Sequence, residues 1–266
     1  MLEKRTDVAV KKTKSPIKDN PLRTPGQSLE EHRQGLIDKA VEDYHGAVVL
    51  GCFAAGAWIE VWLPSVLGAW ALTILAAIVV ARAILKIRSS SKEASSYKLG
   101  HQGEVAVGQY LERMREDGAQ VFHDLQGDGF NVDHVVVCSK GILVIETKTW
   151  SKPESGAAKI TYDGTILRKN GMPVKDDPVT QVKAASNYVS GILKESTGKR
   201  FQTQPILTFP GWYVDNQVGF HPGDVWPLST KGLPEFIRNR KDVLPSSDIS
   251  LIGYHLSRIV RTSIQP

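Results

Sequence analysis

The chain has 266 residues, of which 41% are hydrophobic and 23% charged, the make-up of a folded protein rather than a disordered or fibrous one. Its net charge of +5 is spread thinly, with 12 Lys/Arg against 9 Asp/Glu over residues 1–90 and 21 against 19 over residues 91–266, which excludes a protein that coats nucleic acid by charge alone. The two cysteines, Cys52 and Cys138, are isolated in apolar surroundings; they make neither a disulfide framework nor a zinc motif, and read as small buried hydrophobes in a reducing compartment.

Residues 1–43 are polar and rich in Lys, Pro, Ser and Thr, which predicts a cytosolic tail that is largely disordered. Within it Ser28 is an N-cap candidate, with Glu31 three residues on, for a short helix to about Asp43. The apolar run starts too late for a cleaved signal peptide. Residues 44–88 change character: from Gly46 to Leu85 the chain carries one acid, Glu60, and one base, Arg82. This predicts a helical hairpin crossing a bilayer twice, with a turn near Glu60–Pro64 and Trp58, Trp62 and Trp70 at the interface. Arg33 and Lys39 on one side and Arg82, Lys86 and Arg88 on the other place both ends in the cytoplasm. Residues 89–98 form a Ser/Lys linker, and residues 99–266 are long enough for one domain with its own core.

In that domain Val107, Tyr110, Leu111 and Met114 recur at helical spacing over Gly103–Glu116, and Gly118 stops the helix. Val121–Leu125, Val132–Cys138 and Ile142–Thr147 read as strands, the last two joined through Ser139-Lys140-Gly141. Lys159–Tyr162 and Thr165–Arg168 form a hairpin around Asp163-Gly164. Asp177-Pro178 opens a helix through about Lys194, and Pro205–Phe209 and Val225-Trp226 are strands. Helices near Leu233–Arg240 and Ile249–Thr262 complete an α/β fold around a mixed sheet.

The charges at the ends of the two central strands carry the chemistry. Glu146 and Lys148 share a strand face, and hairpin pairing brings Asp133 beside them. Two carboxylates at close range repel unless a cation lies between them. Oxygen-only ligation suits Mg2+ or Mn2+, which polarises a phosphodiester and acidifies water. Lys148 can then orient the water or offset charge developing on phosphorus. Lys152, Lys159, Arg168, Lys169 and Lys175 are cations able to line a DNA path, while His134 and Trp212 read as packed side chains.

This acid–acid–lysine set resembles the PD-(D/E)xK nuclease superfamily. The segments GHQGE at 100–104, VFHDL at 121–125, NVDHVVVCSKGILVIETKTW at 131–150 and DPVTQ at 177–181 are similar to the nuclease-related domain called NERD. The resemblance implies a restriction-endonuclease-like core. In it Glu104 is the helix-borne acid, Asp133, Glu146 and Glu104 hold the metal, Lys148 is the catalytic lysine and Gln181 positions the site or the DNA. The first expectation is therefore a membrane-anchored, Mg2+-dependent nuclease hydrolysing DNA at the cytoplasmic face of the inner membrane, held in the lipid bilayer by residues 46–85. The second, of a different class, is a catalytically silent nuclease fold that binds nucleic acid or protein as a membrane-tethered scaffold, with the hairpin as a homo-oligomer contact.

Overall fold

A computed structural model describes residues 22–59, 66–127, 129–153, 156 and 158–262. Two long antiparallel helices open it, α1 (Gln27–Ile59) and α2 (Val66–Glu112). They pair through His32 against Tyr97, with ring centroids 4.5 Å apart, and through the Lys86–Asp43 ion pair at 2.6 Å. The helical hairpin is present, but its extent differs from the expectation. The helix expected from Ser28 to about Asp43 is present from Gln27 and runs on without a break into the hairpin, and residues 1–21 lie outside the described residues. The Ser/Lys linker 89–98 is helical too: α2 passes through it without a break and carries Glu104 on its last turns. Serine has modest helix propensity, but a helix already nucleated on both sides extends at little cost.

Among the described residues no helix is long and apolar enough to cross a membrane. The expected transmembrane hairpin is corrected on that point. Gly46–Ile59 and Val66–Ala81, taken separately, both fall short of the roughly 20 apolar residues a crossing requires. The expected turn at Glu60–Pro64 and the side chains of Trp58 and Trp62 lie outside the described residues, whereas Trp70 is exposed. Cys52 is exposed rather than buried, and Cys138 is buried as read.

The domain that follows is built on a five-stranded mixed sheet in the order β1 (Gln120–Gln126), β2 (Asn131–Cys138), β3 (Gly141–Thr147), β7 (Thr203–Thr208) and β9 (Trp226–Leu228). The first three are the antiparallel meander read from the sequence, and β7 and β9 join in parallel. Gly141 closes the β2–β3 turn at φ +123°, a conformation open to glycine and strained for other residues. The β-branched runs 135–137 and 144–145 then pair in the register His134↔Ile145 and Cys138↔Gly141. One sheet face packs Leu143 and Ile145 on Val107 and Leu111 of α2 and on Leu233 and Ile237 of α4 (Leu233–Arg238). The other packs Val135 and Val144 on α3 (Pro178–Thr197) and α5 (Ser246–Thr262). Asp177 caps α3 by accepting from the Thr180 N–H at 3.0 Å, and Gly198 at φ +74° ends it.

A second sheet, in the order β6 (Met172–Pro173), β5 (Leu167–Lys169), β4 (Lys159–Tyr162) and β8 (Tyr213–Asn216), covers the start of α3. The β4–β5 hairpin was legible; β6 and β8 were not. Trp212 is buried and donates from its indole to the Trp150 carbonyl at 3.1 Å, a packing residue as read.

Candidate functional site

The β2–β3 register carries Asp133 to the position across from Glu146, one residue beyond the last pair. The Thr147 N–H donates to Asp133 Oδ2 at 2.7 Å and fixes that carboxylate against the end of β3. Lys148 continues β3 by donating its N–H to the Thr208 carbonyl at 2.9 Å. Its ammonium lies 2.7 Å from Glu146 Oε1 and 2.7 Å from Gln181 Oε1. The strand end and the first turns of α3 thus meet at one lysine. Asp133, Glu146, Lys148 and Gln181 converge as the sequence indicated.

Glu104 arrives from α2. Its approach depends on Gly103: a Cβ there would lie 1.6 Å from Thr149 Oγ1 and 2.7 Å from Thr149 Cβ. Only a residue without a side chain lets the helix sit this close to the strand end that carries Lys148. Glu104 is buried, and its carboxyl is pushed up to about 8 by burial first, then by the charges of Asp124 and Glu146. Burial and the neighbouring Glu146 and Glu104 likewise push the Asp133 carboxyl well above its ordinary range. Burial raises Glu146 as well, against the opposing pull of Lys148. Three carboxylates held where each resists ionisation, with one ammonium among them, form a cluster short of positive charge.

The arrangement fits a divalent cation. Glu146 Oε2 is buried and has no hydrogen-bond partner, although its companion oxygen is bound to Lys148. A buried carboxylate oxygen left bare is costly unless something else meets it. The donors are all oxygen, and they are few, which matches a hard cation that keeps several of its waters. Among the described residues no group of three or more His, Cys, Asp and Glu stands ready-made as a metal cage. A cation here would therefore rest on Asp133 and Glu146, and the expected third ligand, Glu104, does not form a ligand group with them.

Two features of the site went unseen in the sequence. Asp124 sits at φ +51°, an unusual conformation for a non-glycine residue, at the point where the β1–β2 ladder skips from the His123↔His134 pair to Leu125↔Val132. It turns away from the sheet to accept from the buried Arg23 guanidinium, from the Ser28 N–H at 3.0 Å and from the Ser28 hydroxyl. Ser28 is therefore not the N-cap: Asp124, 96 residues on, meets the start of α1 instead. The turn before α1 then covers Glu104, with the Gly26 N–H directed at its carboxylate. Pro25 packs so closely on Gly108 that a Cβ there would lie 2.5 Å from the proline ring.

His134, read as a packed histidine, is fully buried; His123 Nδ1 lies 2.9 Å from its Nδ1, and His123 Nε2 lies 2.8 Å from Glu112. Of the cations singled out for a DNA path, Lys159 is paired to Asp215 at 2.8 Å and Arg168 to Asp163, and Lys169 lies over the rings of Trp150 and Trp212. All three serve the second sheet.

No curated protein and no solved structure matches the chain. A family model does: residues 99–210, which hold Glu104, Asp133, Glu146, Lys148 and Gln181, match NERD, the nuclease-related domain.

Proposed function

We propose that the acid cluster is the centre of a divalent-metal-dependent nuclease that hydrolyses phosphodiester bonds, with DNA as the first substrate to try. The carrying observation is the bare, buried Glu146 Oε2 beside Asp133 and Lys148. Bound Mg2+ or Mn2+ would supply the Lewis acidity that polarises the scissile phosphate. Asp133 and Glu146 would hold it, with Glu104 beside them. Lys148, kept between Glu146 and Gln181, presents its ammonium where charge develops on phosphorus or where the attacking water must be aimed. Gln181 keeps that ammonium from collapsing wholly onto Glu146.

The test is cleavage of labelled DNA and RNA substrates by the purified full chain with Mg2+ or Mn2+. Lys148→Ala and Glu146→Gln should abolish cleavage, and EDTA should do the same to the unaltered protein. The Lys148→Ala protein should keep its thermal transition. A folded protein that binds nucleic acid and leaves every substrate intact would defeat the nuclease reading in favour of a scaffold.

A further inference from the structure

We propose that the open groove along α3 is a binding site for the sugar-phosphate backbone of a nucleic-acid strand. The groove encloses about 1500 Å³ between α3, the start of β3 and β7, and the loop after α4. Six cations line it: Lys183 and Lys194 on α3, Arg200 just after it, Lys140 in the β2–β3 turn, and Arg240 and Lys241 on the far wall. Among the described residues lining it there is no Asp or Glu. In a chain whose charge is otherwise nearly balanced, cations gather here without acids.

These cations are also available. Lys183, Lys194, Arg200 and Lys241 make no ion pair among the described residues, and only Lys140 does, with Asp242 at 2.9 Å. Arg240 is held in place rather than neutralised: its guanidinium lies 4.4 Å from the Trp226 ring centre and 4.9 Å from that of Phe236, and it donates to the Phe220 carbonyl at 2.8 Å. A cation fixed by stacking keeps its charge for a ligand.

Geometry suits an extended anionic chain. Lys183, Asn187, Ser190 and Lys194 are spaced three and four apart and so lie along one side of α3. From Lys183 to Lys194 that line is about 16 Å long at 1.5 Å per residue. At about 3.4 Å of duplex axis per nucleotide, that line spans the rise of roughly five nucleotides. The line starts two residues beyond Gln181 but about 200° around α3 from it, so the groove lies on the other flank of the helix from Lys148. The choice of nucleic acid over another polyanion rests on the nuclease reading; the cationic groove itself does not.

The experiment measures binding apart from cleavage. The full chain in EDTA is titrated with fluorescein-labelled single- and double-stranded 20-mers by anisotropy, at several salt concentrations. The pair Lys194→Glu with Arg200→Glu is expected to weaken binding at least tenfold and to flatten the plot of log K against log salt by about 1 to 2 units. The neutral pair Lys194→Gln with Arg200→Gln should move both readings in the same direction by less. The pair Arg88→Glu with Lys92→Glu, an equal charge change at exposed sites on α2, should leave affinity nearly unchanged beyond its effect on net charge. Equal affinities for the unaltered chain and both groove pairs would overturn the proposal, as would binding to anionic phospholipid vesicles with none to oligonucleotides. Groove-dependent binding without cleavage in Mg2+ would sink the nuclease reading and leave the groove standing.

Discussion

Raising the pH in the absence of metal should weaken this fold, and Glu104 is the group to follow. Its carboxyl has an ordinary value of 4.5 and stands at about 8 in the folded chain. The folded state therefore favours the protonated form. The associated stability is complete below pH 4.5 and is lost as the pH climbs toward 8. For Glu104 alone the slope is at most one proton, about 1.4 kcal/mol per pH unit, or about 4 kcal/mol between pH 5 and pH 8, and the raised Asp133 and Glu146 act in the same direction. For a chain of this size that corresponds to a fall in Tm on the order of 10 °C. On the proposed metal site, a divalent cation would take the proton's place. At a hundredfold excess over its Kd it would restore about 2.7 kcal/mol at pH 8 and little at pH 5, where protons compete. The assay is thermal denaturation at about pH 5, 6.5 and 8, with EDTA or with Mg2+ titrated to saturation. Glu104→Gln keeps the shape of the side chain and removes the titration, so its Tm should fall much less with pH. A Glu104→Gln protein that loses stability as steeply as the parent would refute the reasoning, and so would a parent that grows more stable from pH 5 to pH 8.

Three further outcomes follow from the packing around the site. Arg23→Ala leaves Asp124 buried without its cation and should cost about 3 kcal/mol in a denaturant titration; adding Asp124→Ala should recover part of that, because the two side chains act as one unit. Gly103→Ala forces Thr149 aside and spreads Glu104 from Lys148, so it should lower the denaturation midpoint by at least as much as Gly108→Ala and, on the proposed nuclease reading, lower kcat at least tenfold. Gly108→Ala drives a methyl into the Pro25 ring and should destabilise by about 1 to 3 kcal/mol, whereas Gly253→Ala meets only the movable end of Gln120 and should cost less than half as much; equal losses at the two sites would show that the Pro25 contact is not formed in solution.

The parts of the fold that were legible in the sequence are those decided by neighbours in the chain. The two apolar runs around Ser139-Lys140-Gly141 carry their own turn, their own alternation and their own register, so Asp133, Glu146 and Lys148 fall together from spacing alone. Asp177-Pro178 announces α3 and with it Gln181. What stayed hidden depends on partners far apart in sequence. Arg23 reads as one more base in a polar tail because its acid is 101 residues away. Asp124 reads as a strand residue because nothing local signals its positive φ. β8 pairs in parallel with β4 across more than fifty residues, a contact that no short-range pattern encodes. The segment 89–98 reads as a linker because serine suits loops, yet helices on both sides carry it along.

The uninterrupted α2 has one more consequence. At 1.5 Å per residue its 47 residues make a rod of about 70 Å, with Glu104 near one tip. Its partner helix is pinned to it at Tyr97 and Lys86, and the turn that begins that partner is fastened to Asp124. Adding a single residue within 89–98 would rotate everything upstream by about 100° relative to Glu104, and the clasp at Asp124 would no longer find its lock. Seven added residues, close to two full turns, would bring the azimuth back while displacing the far tip by about 10 Å. The serine-rich stretch thus behaves as the keyed shaft between the two ends of the molecule, tolerant of changes in composition but not of changes in length.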